Sequence, residues 1–222
     1  MKIHLNNNIK VLIIDLDGTL INSSLTVLQI LNQIRKKYFN KKKLHLKKIS
    51  PYLSIGGETL IKKSLEIKKA YEINYYLEIF RKIYLNKKFN YKEIFPFVLK
   101  FLRKVKKRNI KIIICTNKNS KLVRKIMNES ALGIYINSYV TSDMVGVYKP
   151  NKIFLKFILK KYNISKERIL YIGDSIVDVK LCKNYKVNFL IYINHFSDIS
   201  PKIMESLKKK KLTFNDYRNL IV

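Results

Sequence analysis

Tryptophan is absent, alanine occurs twice, and 222 residues contain only two cysteines, four prolines and six glycines. Cys115 and Cys182 lie in apolar-flanked segments with no CxxC or Cys/His cluster, which argues for reduced, packed thiols rather than a disulfide framework. A zinc site finds little support, because His4, His45 and His195 are scattered and two cysteines cannot complete a set of about four soft ligands. The first eight residues lack an apolar signal core, and no apolar run approaches the roughly 20 residues of a membrane helix. These absences predict a soluble, cytoplasmic protein with no membrane partner. What is abundant excludes intrinsic disorder: 47% of residues are hydrophobic and 12% aromatic. A chain this long suits one medium domain, or one domain with a small insert.

Acidic residues are scarce too, 15 against 46 basic ones, so the formal net charge is +31. Such a charge suggests a polyanion partner. However, 39 Lys, 33 Ile, 21 Asn and 15 Tyr dominate the composition, all with A/T-rich codons, which points to base-composition drift. Only seven of the basic residues are Arg, the side chain best suited to bidentate phosphate and base contacts. Solvated lysine is therefore the preferred explanation, and no specific nucleic-acid partner is expected.

Short apolar runs organise the chain. Residues 10–16 form one that ends at Asp15, and similar runs at 110–115, 168–172 and 188–193 read as buried parallel strands, with a weaker one at 134–140. Amphipathic stretches near 97–108, 119–130, 151–162 and 175–184 alternate with them as helices. The fold class is α/β, an open Rossmann-like parallel sheet that binds ligands beyond the carboxyl ends of its strands. Between about 21 and 90 the alternation gives way to helical spacing without a strand, so this stretch is expected to be an inserted helical cap on a core formed by 1–20 and 91–222. Asn22, Ser23 and Ser24 can cap its first helix, Ser50-Pro51 and Gly56-Gly57 interrupt it, and Tyr75, Tyr76, Tyr84 and Tyr91 are expected to pack it.

Polar residues gather at the strand ends. Asp15-Leu16-Asp17-Gly18-Thr19 carries two carboxylates that repel one another unless a cation or a reacting group needs them, and Gly18 allows a tight turn or a close ligand approach. Asp-x-Asp-Gly also occurs in calcium loops and ordinary turns. A second acidic cluster, Gly173-Asp174-Ser175-Ile176-Val177-Asp178, follows another strand and should converge on the first. Thr116 and Asn117 offer a hydroxyl and an amide suited to phosphate oxygens, and Lys149-Pro150 offers a fixed positive charge before a helix. Asp178 could equally be a helix-dipole partner, and Thr116 a turn residue.

This ordered set, Asp15-Leu-Asp17-Gly-Thr19, Thr116-Asn117, Lys149-Pro150 and Gly173-Asp174-x-x-x-Asp178, resembles the four motifs of the haloacid dehalogenase-like hydrolase superfamily, with a C1-type helical cap. Asp15 to Ser23 together with Thr116-Asn117-Lys118 is most similar to its phosphoglycolate phosphatase branch. The resemblance implies Asp15 as nucleophile forming an aspartyl-phosphate, and Asp17 as acid and then base. It implies Mg²⁺ held by Asp15, the Asp17 carbonyl and Asp174. Thr116 and Lys149 would bind the phosphoryl oxygens, Gly18 and Asn117 would offer amide donors, and Asp178 would orient Lys149 or metal-bound water. Asp143 could assist from behind, and Gly56-Gly57-Glu58-Thr59 resembles the family's specificity loop, although a plain turn would look the same. Asn22 stands where many relatives carry Asp.

The expected function is thus Mg²⁺-dependent hydrolysis of a small phosphorylated metabolite, 2-phosphoglycolate above others, by a monomer or homodimer. A sugar phosphomutase of the β-phosphoglucomutase type and a non-enzymatic polyanion binder on the same fold are the alternatives.

Overall fold

The structure, a computed structural model, describes residues 2–194 and 197–222, so His195 lies outside the described residues. A short β1 (Ile3–His4) precedes the main sheet, formed by β2 (Val11–Ile14), β3 (Lys111–Thr116), β4 (Ser138–Thr141), β5 (Ile169–Gly173), β6 (Asn188–Tyr192) and β7 (Thr213–Phe214). The order is β4-β3-β2-β5-β6-β7 and every pairing is parallel; β8 (Leu220–Ile221) ends the chain beside β1. The chain passes from β2 to β3 on one side and reaches β5 on the other, so the reversal of strand order falls at β2, where an open sheet leaves a crevice at its carboxyl edge.

Strand β2 is buried on both faces, which explains its unbroken Val-Leu-Ile-Ile run. Leu12 and Ile14 join one core with α5 (Val98–Lys107) and α6 (Ser120–Glu129), whereas Val11 and Ile13 join a second with α8 (Ile153–Tyr162), α9 (Ile176–Tyr185) and α10 (Pro201–Lys209). The period of two in a strand divides its side chains between these layers. A short α7 (Ser142–Val145) follows β4.

Four helices occupy the stretch between β2 and α5: α1 (Ser24–Phe39), α2 (Leu46–Ile49), α3 (Gly57–Leu65) and α4 (Ala70–Asn86). Their two connections to the sheet run side by side. Asn22 N–H donates to Glu93 O at 2.7 Å, and Phe95 N–H donates to Leu20 O at 3.0 Å. Inside the helical layer Arg35 is buried and donates to the carbonyls of Lys42 and Ser64.

Three local expectations need correction. The strand expected at 134–140 is only Ser138–Thr141, because Ala131–Ile134 first closes a 3-10 turn. Tyr75 and Tyr91 are exposed, while Tyr84 is buried and Tyr76 packs against Tyr38 and Phe39. Ser23 occupies the N-cap position of α1 without a capping bond; Asn22 accepts from Ser24 instead. Cys115 and Cys182 are free and buried, and burial pushes the Cys115 thiol up to about 12. Among the described residues no helix is long and apolar enough to cross a membrane.

The C-terminal segment braces the first loop of the sheet. Tyr217 lies among Phe101, Tyr192 and Phe214, and its hydroxyl donates to Thr19 O at 2.8 Å. Tyr217→Phe keeps the ring and leaves that carbonyl without its donor, so its denaturant midpoint should report a loss of about 1–3 kcal/mol, and an unchanged midpoint would show that the bond carries no stability.

Candidate active site

The carboxyl ends of β2, β3 and β5 deliver Asp15, Thr116 and Asp174 to one edge of the sheet. Gly18 is what allows the acids to close up. Its φ is +82°, and a Cβ there would lie 2.1 Å from Asp174 Oδ2, so the carboxylate packs against bare backbone. Thr19 Oγ1 donates to Asp174 Oδ1 at 3.0 Å, and Asn194 Nδ2 donates to Asp174 Oδ2 at 2.8 Å and to Gly18 O at 2.7 Å.

Lys149 is buried among acceptors. Its ammonium donates to Cys115 O (3.0 Å), Tyr171 OH (3.2 Å) and Asp178 Oδ1 (2.8 Å). Those three bonds use its three protons. Asp15 Oδ1 is also 3.0 Å from Nζ and forms an ion pair with it. Asp178 is saturated, since Oδ1 accepts from Lys149 and Tyr171 while Oδ2 accepts from Ser175 Oγ and the Ser175 and Asp174 amides. The Ser175–Asp178 pair is a capping box on α9, so the acid that closes the box also fixes Lys149.

Burial pushes Asp15 up to about 7 against the pull of Lys149, with Asp178 and Asp17 raising it further. Asp174 is raised as well, by burial and then by Asp15 and Asp178. Asp178 goes the other way, because Lys149 and its hydrogen bonds outweigh the cost of burial. Lys149 stays charged despite burial, held by Asp15 and Asp178.

Asp17 sits apart from this knot. Its two oxygens each accept from Lys118 Nζ at 3.0 Å, and Ser23 Oγ donates to Oδ1. Thr116 is buried and its Oγ1 accepts the Lys118 amide at 3.2 Å. Asn117 spends its side chain on joining the layers: Nδ2 donates to Ser54 O at 2.9 Å and Ile55 O at 3.2 Å, and Oδ1 accepts Lys149 N–H at 2.7 Å. Asp143 accepts from Asn119, Ser120 and Thr141, which holds the turn after Lys118. Gly56, with φ +136°, lies against Tyr148, where a Cβ would come within 2.8 Å of the ring.

A cavity with about 1050 Å³ of empty space, part of it open to solvent, runs from Asp15 and Asp174 up to Val27, Leu77 and Phe80 of the helical layer. Of the acids expected to hold a metal, Asp15 and Asp174 converge: with Asp178 they bring carboxylate oxygens within 4.8 Å of one another. Asp17 aims its side chain at Lys118. Two converging carboxylates, each raised first by burial and also by neighbouring acids, are the donor set a hard divalent ion satisfies. Sequence patterns did not single out Tyr171, Asn194 or Asp198, and they read Ser23 as a helix cap rather than as a partner of Asp17. Asp198 accepts from Ser54 Oγ at 2.6 Å and Ile176 N–H at 2.7 Å. Asn194 could have been found, since it follows an apolar run as Asp15 and Asp174 do.

A family model described as haloacid dehalogenase-like hydrolase matches residues 12–192. The chain belongs to that family. It is 28% identical over 174 residues to a phosphoglycolate phosphatase of Aquifex aeolicus, covering 78% of this chain and 80% of that protein. With phosphoglycolate phosphatase 1 of Pseudomonas aeruginosa it shares 24% over 180 residues, 78% of this chain and 65% of that one. Among solved structures, a predicted phosphoglycolate phosphatase from Haemophilus somnus superposes with a TM-score of 0.82 at 19% identity, covering 95% of each chain. The parallel sheet and the inserted helices are thus the fold of this hydrolase family.

Because the folded pKa of Asp15 is raised, the native state binds its proton more tightly than the unfolded chain, and metal-free stability falls as pH rises from about 4 through about 7. Asp15→Asn removes that charge. In chelator-treated protein the variant should gain about 1–4 kcal/mol over wild type at pH 8, a gain that fades toward pH 4; a pH-independent difference would contradict the assignment.

Proposed function

We propose that the protein is a Mg²⁺-dependent phosphomonoesterase of the phosphoglycolate phosphatase type, with 2-phosphoglycolate as substrate and an aspartyl-phosphate intermediate. Asp15 carries this reading: a carboxylate at the floor of the cavity, charge-paired with Lys149 and brought together with Asp174 at the edge of the sheet. The names of the curated relatives support the substrate.

Asp15 attacks phosphorus and the bond to the bridging oxygen breaks, which divides one difficult displacement into two. Asp17 gives its proton to the departing alkoxide and then takes one from the water that hydrolyses the acyl phosphate. Ser23 and Lys118 fix the position of Asp17. Lys149 acts as a fixed positive charge beside the oxygens on which charge gathers and needs no reorganisation, because Asp178 and Tyr171 already hold it, while Thr116 offers its hydroxyl to the same oxygens. Asp15, Asp174 and the Asp17 carbonyl would hold Mg²⁺, which when bound offsets the repulsion between an anionic nucleophile and an anionic phosphoryl group. Segment 21–90 acts as a cap that excludes water from the first half-reaction, and Asn117, Tyr148 and Asp198 fasten it to the sheet.

In a panel of small phosphomonoesters, 2-phosphoglycolate should be hydrolysed with Mg²⁺ and not with chelator. Asp15→Asn should lower turnover by about 10³-fold or more while keeping the folded spectrum. Turnover undiminished in that variant, or phosphate exchange between sugars with no hydrolysis, would contradict the proposal.

A further inference from the structure

Three cations line the cavity, and they are not equivalent. Lys149 is committed to three acceptors. Arg81, on α4, turns to Glu78, whose side chain is 69% exposed, so its charge is spent at the outer rim. Lys118 is different. Its side chain is only 7% exposed, its ammonium lies 4.5 Å from the centre of the Tyr84 ring of the helical layer, and it donates to both oxygens of Asp17.

The position of that ammonium is informative. If Asp17 is the proton donor to the leaving group, the bridging oxygen of the ester lies beside Asp17, and a cation 3.0 Å from both Asp17 oxygens stands next to the first carbon of the departing alcohol. Val27, Leu77 and Phe80, which also line the cavity, are apolar and offer an anion nothing. Lys118 places a largely buried positive charge beside these side chains, where the low local dielectric makes its attraction to an anion strong.

We propose, building on the phosphatase reading above, that Lys118 is the specificity residue of this site: it binds a carboxylate carried one carbon from the bridging oxygen, and so selects phosphate esters of α-hydroxy acids over neutral esters of the same length. Tyr84 holds Lys118 from the cap side, so the selecting charge is in place when the two layers are closed. Asp17 keeps the ammonium neutralised until the carboxylate arrives, which explains how a buried cation is tolerated in the free protein.

The test compares two esters with the same skeleton, 2-phosphoglycolate and 2-hydroxyethyl phosphate, on wild type, Lys118→Met and Lys118→Arg. Wild type should prefer the carboxylate by about tenfold or more in kcat/KM, Lys118→Met should abolish the preference, and Lys118→Arg should retain part of it. Because Lys118 also touches Asp17, both esters will slow in Lys118→Met; the ratio is the readout, and an unchanged ratio would overturn the proposal. Calorimetric binding of 3-phosphonopropionate against propylphosphonate gives the same comparison without turnover. Tighter binding of the carboxylate by wild type, lost in Lys118→Met, supports the proposal even if no ester is hydrolysed, in which case the phosphatase reading alone fails. Equal affinity in wild type overturns it whatever the variants do.

Discussion

The site is built around one electrostatic conflict: Asp15, Asp174 and Asp178 are buried within 4.8 Å of one another, with Lys149 as the cation bonded among them. Burial and mutual repulsion penalise every added negative charge there, and a single ammonium cannot neutralise three. The structure divides the problem unequally. Asp178 receives Lys149, Tyr171, Ser175 and two amides and is stabilised as the anion. Asp15 and Asp174 are left raised, one at about 7, with the demand for positive charge directed into the cavity.

That imbalance depends on backbone placement more than on side-chain chemistry. Asp15 and Asp174 approach because β2 and β5 are adjacent parallel strands in register from Val11–Ile169 to Ile14–Ile172, and because Gly18 has no Cβ to hold Asp174 away. Tyr217, from the far end of the chain, holds the Thr19 carbonyl of the same turn. The centre is therefore assembled from residues more than 150 positions apart, which ties its geometry to the integrity of the sheet.

The sheet was legible because fully buried parallel strands leave uninterrupted Val/Ile/Leu runs, and the acids were legible because each stands where such a run stops. What escaped lacks that contrast. Strands β7 and β8 are two residues each, too short to show a period. Tyr171 looks like one more core aromatic inside β5, and only three dimensions reveal that its hydroxyl bridges Lys149 and Asp178. Ser23 reads as a helix cap and instead donates to Asp17. Lys118 is one of 39 lysines, and nothing in its neighbours shows that it is buried against Tyr84. A lysine-rich composition conceals the few lysines that are not on the surface.

The account stands on Asp15 as the atom that takes up phosphorus. Acid-quenching the enzyme during turnover of 2-phosphoglycolate, reducing it with borohydride and sequencing it by mass spectrometry reads this directly, because an acyl phosphate is reduced to the alcohol and a free carboxylate is not. Conversion of Asp15 to homoserine, dependent on substrate, is the result predicted. Modification at another residue, or rapid hydrolysis with residue 15 untouched throughout, would contradict it.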